Sequence, residues 1–146
     1  MTTPTSTSDL PRWSVADVHE SLEARSFTDA MEQMGAEVDR LVTLFDELGI
    51  RATPERSPNE ADGEAANAAI QSYNRTSDES DLLETYIYAT VATDSRDELG
   101  QALLSEMQPI DAKLRPLTAR LADWVASLGV EALAQVSTEV HDHVGP

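Results

Sequence analysis

RDELGQALLSEMQPIDAKLRPLTARLADWVASL, residues 96–128, is the stretch whose periodicity decides the fold. Its Leu99, Leu103, Met107, Ile110, Leu114, Leu117, Leu121, Trp124 and Leu128 follow one another at steps of four and three. Those steps keep every apolar side chain on one face of an α-helix. At roughly 1.5 Å per residue such a helix runs about 50 Å, longer than a small domain is wide. Its neighbours must therefore pack along it as a bundle. Pro109 and Pro116 each remove a backbone donor and crowd the preceding turn, at about 3 kcal/mol per interior position. The phase passes both without a slip, through Met107, Ile110, Leu114 and Leu117. That continuity predicts one kinked helix rather than two helices meeting near Gln108.

Beyond the break at Gly129, residues 130–144 carry Leu133, Val136 and Val140. Upstream, Ala61, Ala65, Ala66, Ala69, Ile70 and Tyr73 suit a helix with close neighbours. Residues 74–81 are wholly polar, after which Leu82, Leu83, Tyr86, Ile87, Thr90 and Val91 resume the period. Two arrangements fit residues 59–93: two helices bent near Ser77, or one long helix with a solvated waist. Residues 85–93 are also β-prone, but no partner strand is evident elsewhere, so helix is expected. Phe27, Met31, Met34, Val38, Leu41, Phe45 and Leu48 repeat the four-three step, predicting a helix over 26–48 with Ser26 as N-cap and Gly49 as terminator. Residues 51–58 hold two prolines and no apolar run and read as a loop. Leu10, Trp13, Val15, Val18 and Leu22 form a short segment docking on something larger, with Pro11 or Ser14 able to start a helix. Residues 1–9 have too few apolar side chains to order themselves and read as a disordered tail. The expectation is an all-α protein. Residues 10–146 form a single helical domain, an antiparallel bundle of three to four long helices with short flanking helices.

Composition narrows the function classes. Ten basic residues face 27 acidic ones in 146, a formal net charge of -17, and Lys113 is the one lysine. Nucleic acid and anionic membranes are bound through Lys/Arg clusters, so neither is an expected partner. An acidic surface for a basic partner, or a nucleic-acid mimic, is one reading of the charge; a solvated face suited to high salt is the one adopted. The chain has no cysteine, which removes disulfides and thiolate metal sites and is ordinary for a cytoplasmic protein. No segment approaches the roughly 20 apolar residues of a membrane span. The start of the chain lacks the basic-plus-apolar pattern of a secretion signal.

Candidate chemistry is sparse. His19-Glu20-Ser21-Leu22-Glu23 begins like the zinc motif His-Glu-x-x-His, but Glu23 stands where the second imidazole is needed. Glu139 and His143 are four apart and share a helix face, while His141 points elsewhere and no Glu-x-x-His completes a di-iron set. That cluster reads as an exposed polar tail. Tyr86, Tyr88 and Trp124 lie on or near apolar faces and read as core rather than ligand contacts. No phosphate loop or nucleophile triad is present. The residues therefore assign no catalytic, cofactor-binding or metal site.

Tyr86-Ile87-Tyr88-Ala89-Thr90-Val91-Ala92-Thr93-Asp94-Ser95-Arg96-Asp97-Glu98-Leu99-Gly100-Gln101-Ala102 resembles a stretch in the N-terminal region of oligoendopeptidase F-type zinc peptidases, relatives of thimet oligopeptidase. In that family a Tyr/Ala-rich helix ends at a Thr-Asp-Ser/Thr-x-Asp turn and a Gln-Ala pair opens the next helix. Asp94 or Ser95 then serves as N-cap, with Asp97 and Glu98 in the first turn. Leu10-Pro11-Arg12-Trp13-Ser14-Val15-Ala16-Asp17 is similar to the family's opening Pro-Arg-Trp-Asp-Leu-Ser-Asp-Leu. Ser21-Leu22 before Phe27, Leu48-Gly49-Ile50, and Leu121-Ala122-Asp123-Trp124 with a Val-Glu-Ala-Leu restart after Gly129 follow in the family's order.

The resemblance spans nearly the whole chain. It implies a helical lobe that walls a peptide channel in a larger zinc endopeptidase. The family's zinc and its His-Glu-x-x-His helix lie downstream, so no cofactor is expected in this chain and no activity by itself. The implied partner is a downstream catalytic domain or another protein surface, with peptides engaged only in the full-length context. The initiating Met favours a natural N-terminus and the abrupt end a truncation on the C-terminal side. The rival reading is a stand-alone acidic helical protein-interaction module.

Overall fold

A computed structural model describes residues 19–144. Five α-helices follow in order: α1 (Arg25–Glu47), α2 (Glu60–Thr93), α3 (Glu98–Leu128), α4 (Val130–Ala134) and α5 (Thr138–His143). No strand occurs among the described residues, and the three long helices pack against one another as an all-α bundle. The proposed tail 1–9, a short helix from Pro11 or Ser14, and the resemblance at residues 10–17 fall outside the described residues.

Consecutive long helices are antiparallel, while α1 and α3 run parallel. Lys113 meets Asp39 at 2.5 Å and Arg120 meets Asp46 at 2.9 Å, so seven residues up one helix match seven up the other. The core takes Phe27, Met31, Met34, Val38, Leu41 and Phe45 from α1, and Leu103, Met107, Ile110, Leu114, Leu117, Trp124 and Leu128 from α3. Leu99, the first member of the α3 stripe, is 37% exposed because the helix has only just left its N-cap. α3 is one helix through both prolines, as its unbroken phase predicts. Pro109 and Pro116 are exposed, so the carbonyls they leave without an i+4 donor, on Ser105 and Ala112, fall on the solvent side.

α2 is likewise one helix, and its supposed waist is not solvated on every side. Thr76 and Ser80 are 2% and 3% exposed. With Asp62, Ala66, Ala69, Tyr73, Leu83 and Ile87 they continue one four-three line across the polar stretch. Small side chains on that line let α1 and α3 approach closely, and their larger residues fill the space.

Two caps depart from the sequence reading. α1 begins after Ala24, which offers no side-chain bond, while Ser26 lies inside the helix with its Oγ 3.2 Å from His19 Nδ1. α3 is capped by Asp97, not by Asp94 or Ser95. The Asp97 carboxylate accepts from the backbone N–H of Leu99 and Gly100 at 3.0 and 3.1 Å, leaving Glu98 as the first-turn acid. Asp94 instead accepts from the Arg96 N–H, closing the turn that precedes α3. Gly49 ends α1 with φ 68°, and Gly129 separates α3 from α4 with φ 80°.

Leu22, buried at 6%, docks before α1. The loop after α1 is tied to α3: Arg120 Nε donates to the Ile50 carbonyl at 2.9 Å, and Ser127 Oγ accepts from Thr53 N–H at 3.1 Å. α4 and α5 close that same end of the bundle. Leu133 and Val140 are buried there, and Asn67 Oδ1 on α2 accepts from Ser137 Oγ at 2.8 Å and from the Glu139 N–H at 3.0 Å.

Candidate functional site

The histidine and carboxylate clusters singled out in the sequence make contacts within the fold. His19 and Glu23 precede α1, so the near-match to a zinc motif is not on a helix. The His19 ring stands edge-on to Phe27 and Tyr86, with centroids 5.2 and 5.3 Å away. The Tyr86 hydroxyl donates to the His19 carbonyl at 2.8 Å. This cluster pins the chain ahead of α1 onto α2. Residues 138–143 are not a free tail but α5, docked on α2 through Val140. Glu139 accepts from Gln71 Nε2 at 2.8 Å, and His143 Nδ1 donates to the Glu139 backbone carbonyl at 2.7 Å. The two groups that share a face are thus engaged separately rather than presented as a ligand pair. Among the described residues no three His, Asp or Glu side chains converge as a metal site.

Of the three aromatics read as core, Tyr86 and Trp124 are buried at 5% and 2%. Tyr88 is not core: it is 56% exposed, because it lies two residues from Tyr86 and a helix turns about 100° per residue.

An open groove of about 610 Å³ runs between α1 and α2, with Leu41, Leu44 and Thr76 among its lining residues and Arg40 and Arg75 beside them. It shares Glu37 with a second recess of about 310 Å³, lined by His19, Met34, Leu82 and Leu83. Leu82 is 53% exposed there. Arg40 binds Glu37 through two N–H groups, at 2.6 and 3.4 Å. That hydrogen bonding holds the Glu37 carboxyl below the usual range, with the Arg40 and Arg75 charges adding to it. The groove offers apolar area and side chains of both signs.

An ion pair at the start of α2, between exposed Arg56 and buried Asp62, escaped the sequence reading. Arg56 donates to both Asp62 oxygens, at 2.6 and 2.8 Å, and Asp62 also accepts from the Asn59 N–H at 2.8 Å. Asn59 Oδ1 accepts in turn from the Asp62 N–H at 3.0 Å, completing a capping box. The Arg56 hydrogen bonds hold the Asp62 carboxyl below its ordinary value, although burial pulls it the other way. The signal was present in Asn59-x-x-Asp62, an N-cap pattern with Asp in the place usually held by Glu or Gln. This box ties the loop before α2 to the first turn of the helix.

Comparison with protein-family models, curated proteins and solved structures finds no match to this chain. No helix among the described residues is long and apolar enough to cross a membrane.

Proposed function

We propose that this chain is the non-catalytic N-terminal lobe of an oligoendopeptidase F-like zinc endopeptidase of the cytoplasm, helping to wall its peptide channel. The observation that carries the reading is positional. Three of the segments that resemble the family fall at joints of the bundle: Leu48-Gly49-Ile50 where α1 stops, the Asp94 to Asp97 turn between α2 and α3, and Gly129 where α4 begins. Core positions alone recur in any helical bundle, whereas joints in a fixed order are a more particular feature. The groove between α1 and α2 supports the same reading by giving a polypeptide an apolar surface bordered by charge. Zinc and the activated water belong to a downstream half in this proposal, because a catalytic zinc needs about three protein ligands and an open position.

A stand-alone interaction module is the second reading, favoured by the net charge of -17 and the open groove. The reading frame beyond Pro146 separates the two. An in-frame His-Glu-x-x-His supports the lobe, and a stop codon followed by an unrelated gene supports the module. Hydrolysis of a quenched fluorescent peptide then tests the division of labour. The extended protein should turn over the peptide with zinc, and the 146-residue chain alone should not. Zinc-dependent turnover by the chain alone, retained after His141→Ala and His143→Ala, refutes the proposal.

A further inference from the structure

Eighteen residues precede His19, and their large apolar side chains after Met1 are Leu10, Trp13, Val15 and Val18. All four fall within residues 10–18, a stretch too short to form a core of its own. The place where this stretch meets the bundle is fixed. Leu22 lies against the start of α3, where a Cβ added at Gly100 would sit 3.6 Å from its Cδ1. Three residues upstream, His19 has crossed to α2. Its carbonyl accepts from the Tyr86 hydroxyl, and its ring packs edge-on against Phe27 and Tyr86. In the upstream direction the chain therefore passes from α3 toward the face shared by α1 and α2.

That face holds the recess of about 310 Å³, and His19 is among its lining residues. Met34 and Leu83 line it as buried side chains and Leu82 as an exposed one. Glu79 lies on the same recess, one turn of α2 before Leu83 or about 6 Å along the helix. It makes no ion pair with a described residue. Arg12 is the one basic residue among the first eighteen. The seven steps from His19 back to Arg12 cover about 10 Å as a helix and about 23 Å extended, so Glu79 is within reach either way. Tyr88, the other large apolar side chain exposed on α2, lies about 120° around the helix from Leu82, on another face.

We propose that residues 10–18 dock in this recess of their own chain, laying Trp13, Val15 and Val18 against Leu82 and bringing Arg12 to Glu79. Tethering at His19 holds the segment beside the site at an effective concentration in the millimolar range. Apolar contact too weak to join separate molecules therefore suffices within one. The segment gains the larger body that its apolar side chains require, and Leu82 gains the cover that α1 and α2 do not give it. Any outside polypeptide that uses this recess displaces the segment.

Acrylamide quenching of fluorescence from the intact chain tests the docking. Trp124 is the other tryptophan and is buried, so the emission lost in Trp13→Phe belongs to Trp13. Trp13 should be shielded in the native chain. Its quenching constant should rise severalfold in Leu82→Asp, a change at an exposed position that leaves the helical circular dichroism intact. Tyr88→Asp, on another face of α2, should leave the constant unchanged. The chain has no cysteine, so an engineered pair gives a second reading. Ser14→Cys with Gln33→Cys, at the recess, should close an intrachain disulfide at least about tenfold faster than Ser14→Cys with Ser105→Cys, because docking raises the local concentration of the first pair alone. Trp13 as open to acrylamide in the native chain as in Leu82→Asp overturns the inference. So does release by Tyr88→Asp, equal rates for the two pairs, or a disulfide that joins two chains, which would seat the segment of a second copy in the recess.

Discussion

Leu117 should be among the costliest leucines in the molecule to truncate, whereas Leu99, on the same stripe, should be among the cheapest. Leu117 is 2% exposed at the middle of α3, packed against the α1 and α2 faces, while Leu99 is 37% exposed beside the helix N-cap. Leu117→Ala removes three carbons, or about 2.4 kcal/mol at roughly 0.8 kcal/mol per buried methylene. The space left behind adds about 24 cal/mol per Å³ that the neighbours fail to fill, bringing the expected loss to about 3 to 4 kcal/mol. A domain of this size has about 5 to 15 kcal/mol in total, so the variant still folds and its unfolding curve moves by a readily measured amount. Leu99→Ala should cost less than about 1 kcal/mol. Urea unfolding followed by far-UV circular dichroism in about 1 M NaCl, where charge repulsion is screened, gives both values from the midpoints. Equal losses at the two positions, or a loss below about 0.5 kcal/mol at Leu117, would mean that the stripe does not enter the core as described.

Other outcomes follow from particular contacts. The Asp62 carboxyl is held below its ordinary value by Arg56, so its contribution is full above the ordinary carboxylate range of about 4 and fades as pH falls through its folded value. The stability difference between the native chain and Asp62→Asn should therefore shrink as urea midpoints are taken from pH 7 toward pH 3; a constant difference would argue that the charge pair contributes nothing. Pro116→Ala restores a backbone donor at an exposed position within α3 and should stabilise by about 2 kcal/mol, the interior proline cost less the entropy returned to the unfolded chain. If stability falls instead, the backbone geometry that Pro116 imposes is needed to seat Leu114 and Leu117. With a net charge of -17, the melting temperature should climb between about 0.05 and 1 M NaCl, and a flat curve in differential scanning calorimetry would remove self-repulsion as a main surface effect.

Legibility in the sequence followed the range of the interaction concerned. Where a helix buries large apolar side chains, as α1 and α3 do, the four-three step alone marks the face that turns inward, because 3.6 residues per turn admits no other placement. The same step carried α3 through Pro109 and Pro116, since each proline falls on the outer face and the inner contacts are undisturbed. Gly49 and Gly129 were readable for a local reason as well: both adopt positive φ, which glycine reaches without strain.

Tertiary structure decided the remainder. Nothing local makes Thr76 and Ser80 core residues; they are buried because the packing of α2 against the other long helices covers the face they lie on. Ser26 was eligible as a cap, but α1 starts from Ala24, two residues earlier, where the chain ahead of it is held by His19 against Phe27. Residues 138–143 became a docked helix through Asn67, 70 residues before Ser137, a partnership that spacing along the chain does not encode. Arg120 found the Ile50 carbonyl across an equal separation of 70 residues. The sequence by itself determined which faces are apolar and where the backbone can turn, because those follow from side-chain chemistry within a few residues. Which polar groups meet across the bundle depends on how the helices are brought together, and only the folded chain supplies that.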